Sequence, residues 1–159
     1  MNLDASLTLR PAREADAAAL ALLHRMGFAE GWNAQSMRTL LSNTASFGFV
    51  VEDPEADILR ALVLVQVATD QSEILTIATA PSMRRKGLAR ALLVAAGKEA
   101  ASRGAREMFL EVAEGNNAAR GLYESLGFSL SGKRRGYYRD RDGHVEDALL
   151  FRAHVPLAL

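Results

Sequence analysis

Residues 84–93 read RRKGLARALL. Three cations stand directly before a glycine, and beyond it apolar residues at Leu88, Ala91, Leu92 and Ala95 recur at helical spacing. Gly87 therefore lies at or near a helix start, where the first N–H groups have no partner inside the helix and the macrodipole is positive. A glycine there lets the backbone close on an anion with no side chain between them. Arg84, Arg85, Lys86 and Arg90 surround the same point with mobile charge. The stretch reads as a phosphate cradle, and a pyrophosphate suits it best. The same letters also fit a solvated basic loop that caps a helix, because short glycine motifs recur by chance. GxGxxG is absent, and so is the GKS or GKT of a Walker loop.

Working outward, the preceding EILTIATAP (73–81) reads as the end of a strand, Gln71 to Thr79, broken by Pro81. A strand splayed from its neighbour leaves N–H and C=O groups for an extended ligand to pair with. An amide-bearing arm attached to a pyrophosphate uses both features. Ile58 to Ala68 is a long apolar strand, joined to Gln71–Thr79 across a short Thr69–Asp70 connection. Before it, Phe47 to Glu52 and Ser6 to Arg10 are strand-like. Pro11 introduces an alanine-rich helix with Leu20, Leu23 and Met26 facing inward, and Asn33 caps a second helix through about Leu41. Downstream, a helix from Leu88 to Ser102 ends at Gly104, Glu107 to Val112 is a strand, and Asn117 to Leu126 is a short helix closed by Gly127. Phe128–Lys133 and Asp147–His154 are closing strands around a polar hairpin, RDRDGHVE. The order β-α-α-β-β-β-α-β-α-β-β predicts one α/β domain over residues 1–159, a mixed sheet with helices on both faces.

Composition narrows the chemistry. Nineteen Lys and Arg balance 19 Asp and Glu, so no global field marks a nucleic-acid binder, and any basic patch is local. With no cysteine there is no disulfide, no zinc thiolate site and no cysteine nucleophile, which suits a reducing interior. His24, His144 and His154 lack metal-ligand spacing, so no metal is expected. No apolar run approaches the roughly 20 residues of a membrane span, and the start lacks a secretory pattern. The expectation is a cytoplasmic protein with no membrane or direct nucleic-acid partner.

A second cluster lies in FLEVAEGNNAARGLYESLGF (109–128). Glu111 is polar among apolar strand neighbours, Asn116 and Asn117 are helix caps, and Ala118, Leu122 and Leu126 fall on one stripe with Tyr123 on its flank. Taken singly, Glu111 also reads as an outward strand carboxylate and Tyr123 as a core aromatic.

Together, strand, RRKGLA, long helix, strand and NNAARGLYESLGF resemble the acyl-coenzyme-A core of the GNAT superfamily of N-acetyltransferases, whose signature there is Q/R-x-x-G-x-G/A. ILTIATAPSMRRKGLARALL, LEVAEGNNAARGLYESLGF, KRRGYY and DGHVEDALLF resemble its RimI type, which acetylates the N-terminal alanine of a small-subunit ribosomal protein; this covers residues 74 to 154. The resemblance implies a GNAT-like, mostly antiparallel sheet of about seven strands with a splayed pair. It implies acetyl-coenzyme A along Ile77, Ala78 and Thr79, its pyrophosphate on the turn from Arg85 through Gly87, Leu88 and Ala89 to Arg90, and Arg84 at the signature's first position. Asn116 then matches a coenzyme contact, Glu111 the general base, Tyr123 the acid near the thioester sulfur, and Trp32, Tyr137 and Tyr138 the peptide site. The acceptor is a peptide or protein N-terminus, ribosomal in the RimI type, and the enzyme a monomer or weak dimer. Ala80 stands where the family often has an acid, and Gly31 where RimI-like chains commonly have proline. Direct transfer in a ternary complex is expected, since no cysteine exists to carry the acetyl group. A GNAT enzyme acting on a small amine or a lysine side chain is an alternative, as is a non-catalytic acyl-coenzyme-A sensor.

Overall fold

Strand β3, Ile58–Ala68, sets the architecture. Its residues Ala61 to Val65 are each fully buried, so both faces of the strand are covered and its near-continuous apolar run is what such a position requires. A computed structural model describes residues 3–28, 31–139 and 142–158. The remaining elements are β1 (Thr8–Pro11), a 3-10 turn (Glu14–Asp16), α1 (Ala17–Gly27), α2 (Ala34–Ser42), β2 (Ser46–Asp53), β4 (Gln71–Thr79), a second 3-10 turn (Pro81–Met83), α3 (Leu88–Ser102), β5 (Glu107–Ala113), α4 (Asn117–Ser125), β6 (Ser129–Arg139) and β7 (Val145–His154). The strands hydrogen-bond in the order β1-β2-β3-β4-β5-β7-β6, a seven-stranded mixed sheet of the α/β class. No described helix is long and apolar enough to cross a membrane.

The chain divides into two compact units, one of Met1–Gln66 and Leu75–Ala96, the other of Val67–Ile74 and Gly97–Leu159. In the first, β1 and β3 flank β2 in antiparallel ladders, Thr8↔Glu52 to Pro11↔Phe49 and Ser46↔Gln66 to Asp53↔Ile58. Leu20 and Leu23 of α1, Met37 of α2, and Val50, Leu62, Leu64 and Ala78 from the strands form its core. Each fully buried leucine there contributes on the order of 2 kcal/mol. Arg10 ties three elements together, donating to Asp16 at 2.9 Å and to Glu52 at 2.6 Å. Its guanidinium holds the Asp16 carboxyl below the usual carboxylate range, so this contribution is present at neutral pH and lost as acid protonates Asp16.

In the second unit the first residues of β4 run parallel to β5, Gln71↔Glu107 to Glu73↔Phe109. That ladder stops although β4 itself continues to Thr79. Strand β7 pairs antiparallel with β5 over Glu107↔His154 to Ala113↔Ala148, and β6 pairs antiparallel with β7. Met108, Leu110, Leu126, Phe128 and Phe151 fill this unit's interior.

Three expectations need correction. Met26 is 54% exposed, because Ala17, Leu20, Ala21 and His24 define the inward stripe of α1 and position 26 lies half a turn away from it. Ala118 is exposed and Leu122 only half-buried, while α4 buries Tyr123 instead. The RDRDGHVE hairpin is shorter than expected, with KRRGYY lying inside β6. The pairing shifts register between Arg134 and Tyr138, where Gly136 takes φ 63° and donates its N–H to Asp147 at 2.8 Å. Residues 140 and 141 of that hairpin lie outside the described residues.

Candidate active site

In the first unit, alternation along β4 leaves Ile77 and Thr79 half-buried and turns the Ala78 side chain into the core. Ala78 can therefore offer a ligand only its backbone. The strand's end is held by the Ala80 N–H, which donates to the Arg60 carbonyl at 2.8 Å. After the Pro81–Met83 turn, Arg84 is extended (φ −66°, ψ 153°), and then φ becomes positive at Arg85 (64°) and again at Gly87 (80°). A non-glycine residue in the left-handed region costs about 1–2 kcal/mol, so the strain at Arg85 is held by its surroundings. Ala91 N–H donates to the Gly87 carbonyl at 3.1 Å, which makes Gly87 the helix cap. Leu88, Leu92 and Leu93 anchor α3 with 2% exposure or less, whereas Arg84, Arg85 and Lys86 are exposed and Ala89 and Arg90 half-buried. An irregular turn with cations outside and leucines inside, feeding a long helix, fits a bound diphosphate.

Trp32 packs against the core of the same unit. Its backbone N–H donates to His24 Nδ1 at 3.0 Å, and His24 Nε2 lies 3.0 Å from Thr76 Oγ1 on β4. With Nδ1 accepting, the neutral ring carries its proton on Nε2 and donates to Thr76. The imidazole is stacked between Phe28 (4.2 Å) and Trp32 (5.3 Å). Burial lowers its pKa. The unfolded chain therefore binds the His24 proton more readily than the folded one, and stability falls as pH drops below about 6.5. Thermal unfolding measured between pH 7.5 and 5.5 is expected to show this slope, at most about 1.4 kcal/mol per pH unit, and His24→Gln is expected to flatten it. A single histidine between distant elements gave no signal in sequence.

In the second unit, Met108, Leu110 and Val112 of β5 point inward, and Glu111 lies on the more open face. Glu111 accepts a hydrogen bond from Arg134 Nη1 at 2.9 Å. The Arg134 guanidinium also lies 3.8 Å above the Tyr137 ring centroid, and Tyr137 meets Tyr138 edge-on at 5.2 Å. Tyr123 is 6% exposed, its ring against Phe128 (5.9 Å) and Phe151 (6.4 Å). Burial is the main cause that pushes its hydroxyl up to about 12, with Tyr138 adding to the effect. Tyr138 is raised as well, chiefly by burial and then by the nearby Glu111 carboxylate. Asn116 accepts the Ala119 N–H at 3.2 Å and caps α4, so its side-chain oxygen is already engaged there. Of the sequence candidates, Glu111, Tyr137 and Tyr138 thus form one cluster. Arg134, within the quoted KRRGYY but not singled out, is its missing member.

The arrangement offers an irregular turn rimmed by cations in one unit and, in the other, a carboxylate beside tyrosine hydroxyls. A family pattern described as the acetyltransferase (GNAT) family matches residues 16–128. The chain is 39% identical over 99 residues to the ribosomal protein bS18-alanine N-acetyltransferase of Escherichia coli, an alignment covering 62% of this chain and 66% of that enzyme. It is 30% identical over 120 residues to the enzyme of the same name from Haemophilus ducreyi, covering 76% and 83%. A crystal structure of the Escherichia coli enzyme superposes with a TM-score of 0.85 at 30% identity, covering 96% of each chain. A pattern match across more than half its length, with a relative at this identity spanning three quarters of it, shows that the chain belongs to the acetyltransferase (GNAT) family.

Proposed function

We propose that this protein transfers the acetyl group of acetyl-coenzyme A to the N-terminal α-amine of a protein, of the ribosomal bS18 kind acetylated by its relatives. The observation that carries the reading is the turn from Arg84 to Gly87, two left-handed residues among exposed cations at the start of a long helix. Arg84, Arg85, Lys86 and the first amides of α3 hold the diphosphate, and the backbone of Ile77 to Thr79 lines the amide arm. The coenzyme supplies an activated acetyl thioester. Glu111 takes the proton from the acceptor's ammonium, and Tyr123 keeps its own proton at neutral pH, available to the departing sulfur. An α-amine with a pKa near 8 asks less of a carboxylate than a lysine near 10.4, which favours an N-terminus over a side chain. The aromatic pair Tyr137 and Tyr138 borders the acceptor on the same reading, and Trp32 shapes the loop before α2.

Arg85→Ala combined with Lys86→Ala is expected to weaken acetyl-coenzyme A binding about 30-fold, the equivalent of two exposed charge-assisted contacts, and to reduce the salt dependence of binding. Calorimetry at two ionic strengths measures both, and unchanged affinity would mean that the diphosphate binds elsewhere. The acceptor class is decided by mass spectrometry of peptides varied at their first residue, against polyamines and peptides with a blocked N-terminus. Acetylation confined to the polyamines would replace the N-terminal reading with a small-amine one.

A further inference from the structure

We infer that Arg134 is an intramolecular competitor for the acceptor amine: in the resting enzyme its guanidinium occupies the Glu111 carboxylate, and the acceptor's ammonium must displace it. The inference rests on the acetyl-transfer reading above and adds a residue that governs acceptor binding. The contact is a single charged hydrogen bond, Arg134 Nη1 to Glu111 Oε1 at 2.9 Å. A permanent cation against a carboxylate lowers its affinity for a proton, so Glu111 is a weaker base and a poorer site for an ammonium while Arg134 lies against Oε1. An ammonium and a guanidinium carry the same charge and seek the same carboxylate, so the two repel each other and compete for it, most directly at Oε1.

Leaving is easy for Arg134. Its side chain is 50% exposed, against 22% for Glu111, and exposed ion pairs contribute little net stability. Its guanidinium already lies over the Tyr137 ring, 3.8 Å from the centroid, and that stack can hold it when the Glu111 contact opens. That neighbour is a product of the register shift. Residues three apart on a regular strand face opposite sides, but the irregularity between Arg134 and Tyr138, with Gly136 at φ 63°, brings positions 134 and 137 together. The preceding Lys133 is bound to Glu114 (3.4 Å) and Asp147 (3.5 Å), so it does not duplicate the role. Among the described residues, this face also carries Tyr138 of β6 and Glu146 of β7, whose carboxylate accepts the Gly115 N–H.

Steady-state kinetics of Arg134→Gln with an unblocked acceptor peptide tests the inference. The acceptor's apparent KM is expected to fall about two- to fivefold, the range an exposed ion pair allows, with kcat retained. Arg134→Lys, which keeps the charge but loses the planar stack, is expected to fall between the two. Millimolar methylguanidinium is expected to inhibit Arg134→Gln competitively against the peptide and to affect the wild type less, which a purely structural role for Arg134 would not produce. A raised KM, a collapse of kcat, or no methylguanidinium competition overturns the inference while leaving acetyl transfer standing. Absence of transfer by the wild-type protein removes the parent reading and the inference together.

Discussion

Glu111→Gln is expected to lower kcat by about 10²–10⁴-fold, the usual contribution of a general base, and to leave the affinity for acetyl-coenzyme A nearly unchanged. The glutamine keeps the length of the side chain and an oxygen that can accept from Arg134, so the side-chain contact that β5 and β6 make across β7 is preserved. Only the capacity to take a proton is lost. The acceptor then has to deprotonate in bulk water before it binds, and the penalty should shrink as pH rises toward the amine's own pKa near 8. Single-turnover rates from pH 6 to 9, with calorimetry of coenzyme binding, separate the two quantities. A variant as fast as wild type at neutral pH would remove Glu111 from the role and leave the bulk solvent, or another group, to take the proton.

Tyr123→Phe is expected to give the second large effect, a loss of about 10²-fold in kcat, at the low end for a general acid because a departing thiol is more acidic than the phenol that would protonate it. The phenyl ring keeps the packing on Phe128 and Phe151, so the unfolding midpoint should move little. The wild-type hydroxyl, pushed up to about 12 by burial, stays protonated between pH 8 and 10. Accordingly, an alkaline loss of activity between pH 8 and 10 does not arise from Tyr123 and should persist in the variant. If Tyr123→Phe and wild type turn over equally, the leaving sulfur needs no donor, and Tyr123 is a core aromatic as its burial alone implies.

The elements around the glycine turn were legible because local physics decides them. Apolar residues at helical spacing after Gly87, the Asn33 and Asn116 caps, and the left-handed Gly127 each act within a few residues, and each stands in the structure where the letters put it. Strands β3 and β4 were equally plain, a long apolar run and an alternating one joined by a two-residue connection. Exposure along helices was less legible. Met26 and Ala118 belong to apolar residue types, but which face of a short helix is covered depends on its partners, and those partners come from distant sequence.

The sequence alone determined the glycine turn into α3, the order of strands and helices, and which residue types stand as candidate base and acid, since these follow from residue type, spacing and chain direction. Only the tertiary structure decided what those groups touch. Arg134 reaches Glu111 across 23 positions because β7 pairs with both β5 and β6 and a bulge at Gly136 turns the guanidinium onto Tyr137. His24 finds Thr76 across 52 positions because α1 packs on the strand that follows β3. Contacts of that span are set by register and packing, which no local pattern encodes.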